Sequence, residues 1–128
     1  MKRLLKLFLF CIVFGEVNAQ INRFYDEDSL RAILRDTPMD TTRVDVLNNL
    51  AGSYFFKRPD STLFYAQQAL ALARKLNYTT GIQFGFFRSG EANRHLGNLV
   101  EAAKIQSEAI EFNRKVKNKN YEANSLGW

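Results

Sequence analysis

His95 is the only histidine in the chain and follows Glu91 by four residues. On a helix that spacing puts both side chains on one face, where an imidazole and a carboxylate could pass a proton or hold a metal. Neither role can be completed from this sequence. Acid–base or hydrolytic chemistry needs several converging His, Asp, Glu or Cys side chains, and zinc needs three or four ligands. Gly81, Gly85 and Gly90 lie along one helical stretch, with a spacing that fits neither the dinucleotide nor the P-loop pattern. Asn77-Tyr78-Thr79 satisfies the N-glycosylation sequon, a three-residue match with meaning only in a eukaryotic secretory route. No catalytic residue, metal or cofactor is therefore expected, and the chain does not read as an enzyme. What remains for Glu91 and His95 is a surface ion pair or a pair lining a groove.

Composition narrows the class further. At 128 residues one domain is expected, and 46% apolar residues are enough for a core and too many for a disordered chain. Two prolines and seven glycines suit a mostly helical chain. The formal charge is +5, but the first 19 residues hold three of the 18 basic and one of the 13 acidic side chains, leaving 15 against 12, or +3. That excess is spread along the chain with no nucleic-acid motif, so no nucleic-acid partner is expected.

The amino terminus has the layout of a secretory signal. Three basic residues in positions 1–6 precede an unbroken apolar run at 7–14, and Val17-Asn18-Ala19 ends it with a small residue. Cleavage between Ala19 and Gln20 is expected, which makes the protein exported, periplasmic or extracytoplasmic. Retention as an uncleaved anchor is the alternative, disfavoured because even residues 4–17 fall short of the roughly 20 apolar residues a spanning helix needs. Cys11 is the only cysteine and lies inside this segment. The mature chain then has no disulfide or thiol chemistry, and its stability must come from helix packing.

Helical segments follow one another through residues 20–128. Asp26, Glu27 and Asp28 open a lead-in helix over 26–35, where negative charge suits a helix amino terminus. Pro38 stops it, because the residue before a proline is pushed out of helical geometry. Asp40-Thr41-Thr42 offers caps for a helix reaching about residue 57. After a turn at 57–61, a second helix over 61–76 carries a wide apolar stripe that includes Tyr65, Ala66, Ala69, Leu70 and Ala73. A further pair is expected over 80–96 and 98–117. Gly97 ends the first of these helices, and Asn98 with Glu101 forms a capping-box arrangement for the second.

Within residues 84–110 small side chains fall at Gly90, Gly97, Ala102 and Ala109, with apolar residues between them at helical spacing. The pattern resembles the tetratricopeptide repeat, a helix-turn-helix unit of about 34 residues. Gly90 matches its first-helix Gly/Ala, Gly97 its turn glycine, and Ala102 and Ala109 its second-helix alanines. Leu50, Ala51 and Tyr54 keep the Leu-Gly-x-x-Tyr spacing of an earlier repeat, with Ala66 and Ala69 in its second helix. Leu126-Gly127 restates Leu50-Ala51 and Ser89-Gly90. The implied organisation is repeat one over 40–76, repeat two over 80–117 and a partial third repeat over 120–128, in an all-α superhelical array of antiparallel helix pairs. Gly90 is expected at a close helix crossing, so that Gly90→Leu would force the helices apart.

The resemblance also implies a function: a non-enzymatic scaffold that binds a peptide or protein on its concave face. The family lines that face from the first helix of each repeat, which puts Asp45, Asn48, Phe55 and Phe56 there from repeat one and Phe84, Phe87, Glu91, Arg94 and His95 from repeat two. Aromatic and arginine side chains are the usual anchors of interfaces. Phe84, Phe86 and Phe87 cannot all face one way, so some belong to the core. The repeats step by 37–40 residues, and with the secretory signal they are similar to the extracytoplasmic portions of bacterial sensor histidine kinases and transcription regulators. That likeness implies a second reading, a sensor, spacer or dimerisation module tethered to a membrane through a downstream segment. On either reading the chain is expected to be a fragment of a longer protein, and its oligomeric state is left open.

Overall fold

The computed structural model describes residues 26–125, and side chains through Asn120. The expected signal, its Ala19–Gln20 cleavage site, Cys11, Leu126 and Gly127 lie outside the described residues. The described chain is all-α: α1 (Glu27–Asp36), α2 (Thr41–Ser53), α3 (Pro59–Lys75), α4 (Thr79–His95) and α5 (Leu99–Ser125). Each helix packs on the next, and α2 also touches α4.

Local chemistry sets most of the boundaries. The Asp26 carboxylate accepts from the Ser29 amide at 3.0 Å and from its hydroxyl at 2.8 Å, capping α1. These bonds hold the Asp26 carboxyl below the usual carboxylate range. At the other end Thr37 is extended, with ψ 129°, as the proline after it requires. Asp40 caps α2 by accepting from the Thr42 and Arg43 amides. That helix ends at Ser53, four residues short of the expected 57. Its last turn tightens there: the Phe55 amide donates to Gly52 O, and the Lys57 and Arg58 amides both donate to Tyr54 O. Pro59 then opens α3 two residues earlier than expected, because the first helical position needs no amide hydrogen.

The ends of α3 and α4 are built alike. Asn77 (φ 50°) and Gly97 (φ 79°) take the left-handed conformation. Behind them, Tyr78 N–H donates to Ala73 O and Asn98 N–H to Asn93 O, each reaching back over the final turn. Asn tolerates this conformation through its short polar side chain and Gly through having none.

The last helix differs from expectation. Residues 117–120 contain no break, and α5 runs through 27 residues to Ser125. Val116-Lys117-Asn118-Lys119-Asn120 holds neither glycine nor proline, so nothing local stops the helix. Residues 120–125 extend α5 instead of starting a third helix pair.

The core lies between α2, α3 and α4. Val44, Leu47, Ala69, Leu72, Ala73, Ile82 and Phe86 form one buried cluster. Leu30, Val46, Leu50 and Tyr54 form a second, on which α1 closes. Tyr54 is held by a stacked Tyr65 at 5.8 Å and by Arg31 and Arg58, 5.7 and 6.0 Å from its ring. Arg31 also donates to its hydroxyl. Ala51, Ala66, Ala69 and Ala73 are fully buried where these helices cross.

The tightest glycines are not the expected one. A Cβ on Gly81 would stand 2.5 Å from Val44 Cγ1, and one on Gly85 would stand 2.9 Å from Leu70 Cβ. A Cβ on Gly90 meets only Ile105 Cγ2, at an ordinary 3.5 Å. Ser89, the residue before Gly90, is buried in α4, its hydroxyl donating to Gly85 O at 2.6 Å. The close-contact role expected of Gly90 belongs to Gly81 and Gly85.

Candidate partner-binding surface

One face of α4 presents Phe84, Phe87, Arg88, Glu91 and His95, spaced three and four apart so that their side chains line up. The tight turn after α2 brings Phe55 and Phe56 beside it. Phe55 stacks on Phe87 with ring centroids 6.3 Å apart and planes within 12°. His95 meets the same Phe55 ring edge-on at 5.5 Å, and Phe56 does so at 4.9 Å. The Arg88 guanidinium sits 5.5 Å from both the Phe55 and Phe87 centroids. Gly52 makes room for it, since a Cβ there would stand 2.9 Å from Arg88 Nη2.

This cluster remains open to solvent. Phe84 is 51% exposed, Phe87 53% and Phe56 90%, whereas Phe86 turns inward and is buried. Aromatic rings held in fixed mutual geometry yet exposed are what an interface anchor requires: large contact area with little rotamer freedom left to lose.

The other expected groove residues are arranged differently. Glu91 and Arg94 pair with each other on α4, Arg94 donating from Nε at 3.2 Å and from Nη2 at 2.6 Å to one carboxylate oxygen. The Arg94 guanidinium holds the Glu91 carboxyl below the usual range, against the opposing effect of burial. Asp45 is exposed and accepts from the Tyr78 hydroxyl at 3.0 Å. Burial, then this carboxylate, pushes the Tyr78 phenol up. Asn48 is buried and donates from Nδ2 to Gly81 O at 3.3 Å, which makes it a tie between α2 and α4 facing away from any partner. Phe55, Phe87 and His95 therefore come together, Phe84 lies on the same face, Glu91 and Arg94 flank it, and Asn48 and Asp45 serve contacts within the fold.

Arg88 and Gly52 were missed by the sequence reading. A signal for Arg88 exists, since it lies four residues after Phe84, three before Glu91 and seven before His95. Gly52 has none that a sequence shows, because its neighbour is 36 residues away along the chain.

A second concavity adjoins this face. Between α4 and α5 a cleft of about 310 Å³ is floored by Gly90, Ala102, Ile105 and Ala109, with Phe86, Phe87 and the Glu91–Arg94 pair along one side. Gln83 donates to Asn113 at 2.8 Å across one end.

Among the described residues no three His, Cys, Asp or Glu side chains converge as metal ligands would. Among the same residues, no helix is long and apolar enough to cross a membrane. No family model, curated protein or solved structure matches this chain, so the use of the surface must be read from its own geometry.

Proposed function

We propose that this chain is an exported, non-catalytic interaction scaffold of the tetratricopeptide-like kind. It binds a peptide or protein segment on the concave face formed by α2 and α4. One observation carries the proposal: Phe55, Phe87, Arg88 and His95 are locked into a stacked and edge-on cluster while Phe56, Phe84 and Phe87 stay at least half exposed. A fold needing these rings only for its core would bury them, as it buries Phe86. The face sets apolar rings around the Arg88 guanidinium, with the Glu91–Arg94 ion pair at its flank. A segment pairing an apolar anchor with flanking acidic side chains complements it.

Peptides selected from a random displayed library on the wild-type chain test this. Those peptides are expected to lose at least about tenfold in affinity against Phe87→Ala, the scale of an aromatic anchor, while the variant melts as the parent does. Selection of no peptide, or equal binding to a Phe55→Ala/Phe87→Ala variant, contradicts the proposal.

The unbroken α5 favours a second reading. A 27-residue helix leaving a helix stack is a suitable mechanical link from an extracytoplasmic sensor to a downstream membrane span. In that reading the stack is a spacer or dimerisation module of a histidine kinase or transcription regulator. The parent gene beyond residue 128 separates the two, since a membrane span followed by a kinase core or DNA-binding domain supports only the second.

A further inference from the structure

We infer that Arg88 is the specificity-determining residue of the aromatic face. Its guanidinium fills the site on the Phe55 and Phe87 rings that a partner's cation would otherwise take, so the face accepts apolar or acidic anchors and rejects Lys and Arg. The inference rests on the reading of this face as a binding surface and names what that surface excludes.

The rings come first. The face of a phenylalanine ring carries partial negative charge and attracts a cation lying within about 6 Å of its centroid. Phe55 and Phe87 stand nearly parallel with centroids 6.3 Å apart, and Phe56 and His95 close on Phe55 edge-on. Phe56 and Phe87 are open to solvent. Aromatic rings gathered in this way form the kind of cage that takes an ammonium or guanidinium group from a ligand.

Here the chain supplies the cation itself. Arg88 is half-buried, and its Cζ lies 5.5 Å from both ring centroids. Gly52 leaves the room for that placement: a Cβ there would stand 2.9 Å from Nη2 and 3.1 Å from Cζ. An incoming Lys or Arg therefore meets a like charge and finds the ring faces occupied. An apolar anchor meets neither obstacle, and a carboxylate meets a charge of opposite sign. The Glu91–Arg94 pair at the flank is matched within itself and does not offset the Arg88 charge.

The probe is tetramethylammonium, a cation that donates no hydrogen bond and so reports the ring faces alone. It is titrated at constant ionic strength against the full chain and its Arg88→Ala variant, with tert-butanol as the neutral probe of like shape. NMR follows the ring resonances of Phe55, Phe87 and His95. The parent chain should show no saturable shift. Arg88→Ala should bind tetramethylammonium saturably and at least about tenfold more tightly than tert-butanol, the scale of a partly desolvated cation–π contact. Arg88→Lys, which keeps a cation on a similar stem, should restore the exclusion. A melting curve checks folding, and where Arg88→Ala does not fold, Arg88→Gln carries the same expectation with more of the stem retained.

The inference is overturned if the parent chain binds tetramethylammonium as well as the variant does, if a folded variant takes up none, or if tert-butanol binds equally. Unfolding of both variants also overturns it, since Arg88 would then be a structural residue. Library selection keeps the inference apart from the reading beneath it. Peptides anchored by Lys or Arg on the parent chain would sink the inference and leave the binding face standing. Recovery of no peptide would remove the binding face and leave the cation titration to decide what Arg88 does.

Discussion

The two helix pairs α2–α3 and α4–α5 share a plan and differ in how they are finished. The first is closed on both sides: α1 lies over Val46, Leu50 and Tyr54, and α4 lies over Val44, Ala69 and Ala73. Among the described residues the second is covered on one side only. Its Ala102 and Ala109 are half-buried, and Leu99, Val100 and Ile110 are exposed. A helix pair cannot bury its apolar faces alone and must set them against another element. Stability should therefore concentrate in residues 41–95, and α5 should open locally first.

That contrast can be broken most forcefully at the glycines. Gly81→Leu forces a side chain into a space where even a Cβ lies 2.5 Å from Val44. It should cost about 3 kcal/mol or more, the upper end for overpacking, and chemical denaturation should show a chain folded only marginally or not at all. Gly90→Leu should cost under about 1 kcal/mol, because its Cβ meets nothing closer than 3.5 Å. Equal losses at both sites would erase the distinction between the sealed pair and the open one.

Removing the tie between α2 and α4 is the next largest effect. Asn48→Ala deletes a buried donor to Gly81 O, and a loss of about 1–2 kcal/mol is expected in a denaturation midpoint. Peptide binding at the Phe55–Phe87 face should be unaffected. Loss of binding with unchanged stability would return Asn48 to the groove.

The two left-handed caps give a finer test. Gly97→Ala places a Cβ at φ 79° and should lower stability by about 1 kcal/mol. Asn77→Gly relieves the milder strain at φ 50° and should be neutral or stabilising by a few tenths of a kcal/mol. Thermal melts of the two variants should shift in opposite directions or only the first should shift.

Smallest is the response to acid. The Asp26 and Glu91 carboxyls are both lowered in the folded chain, the first by Ser29 and the second by Arg94. Each therefore contributes stability above the unfolded carboxylate pKa of about 4, and that contribution is lost as pH falls through the lower folded values. Asp26 is exposed and Glu91 only partly buried at the surface, and the effect should be slight. A Glu91→Gln variant should flatten the acid limb of the stability curve. An unchanged limb would remove Glu91 from the linkage.

Much of the scaffold could be read from the chain. The acidic opening at 26–28, the cap at Asp40, the stop before Pro38 and the reversal at Gly97 are signals carried by one to three residues, and all appear in place. Where the reading went astray, the deciding information was distant or was a matter of phase. Gly90 was aligned with Ala51 by its neighbours, but the glycines with no room for a Cβ are Gly81 and Gly85, and the neighbours that explain them include Val44 and Leu70 on other helices. A break after residue 117 was imposed by the repeat period, although no residue from 116 to 120 interrupts a helix. Of the aromatic face, Phe55, Phe87 and His95 were named through the likeness to the tetratricopeptide repeat, not through spacing. Arg88 was not, because its place between two rings depends on a turn that ends α2 early.

Native-state hydrogen exchange on the intact chain tests the contrast between the two pairs most directly. Amides of Ala69, Leu72 and Ala73 in α3 should exchange only through global unfolding, while those of Ile110, Phe112 and Val116 in α5 should exchange through local opening at least about tenfold faster. Protection in α5 equal to that in α3 would contradict the account, because it would mean that the second helix pair is already covered.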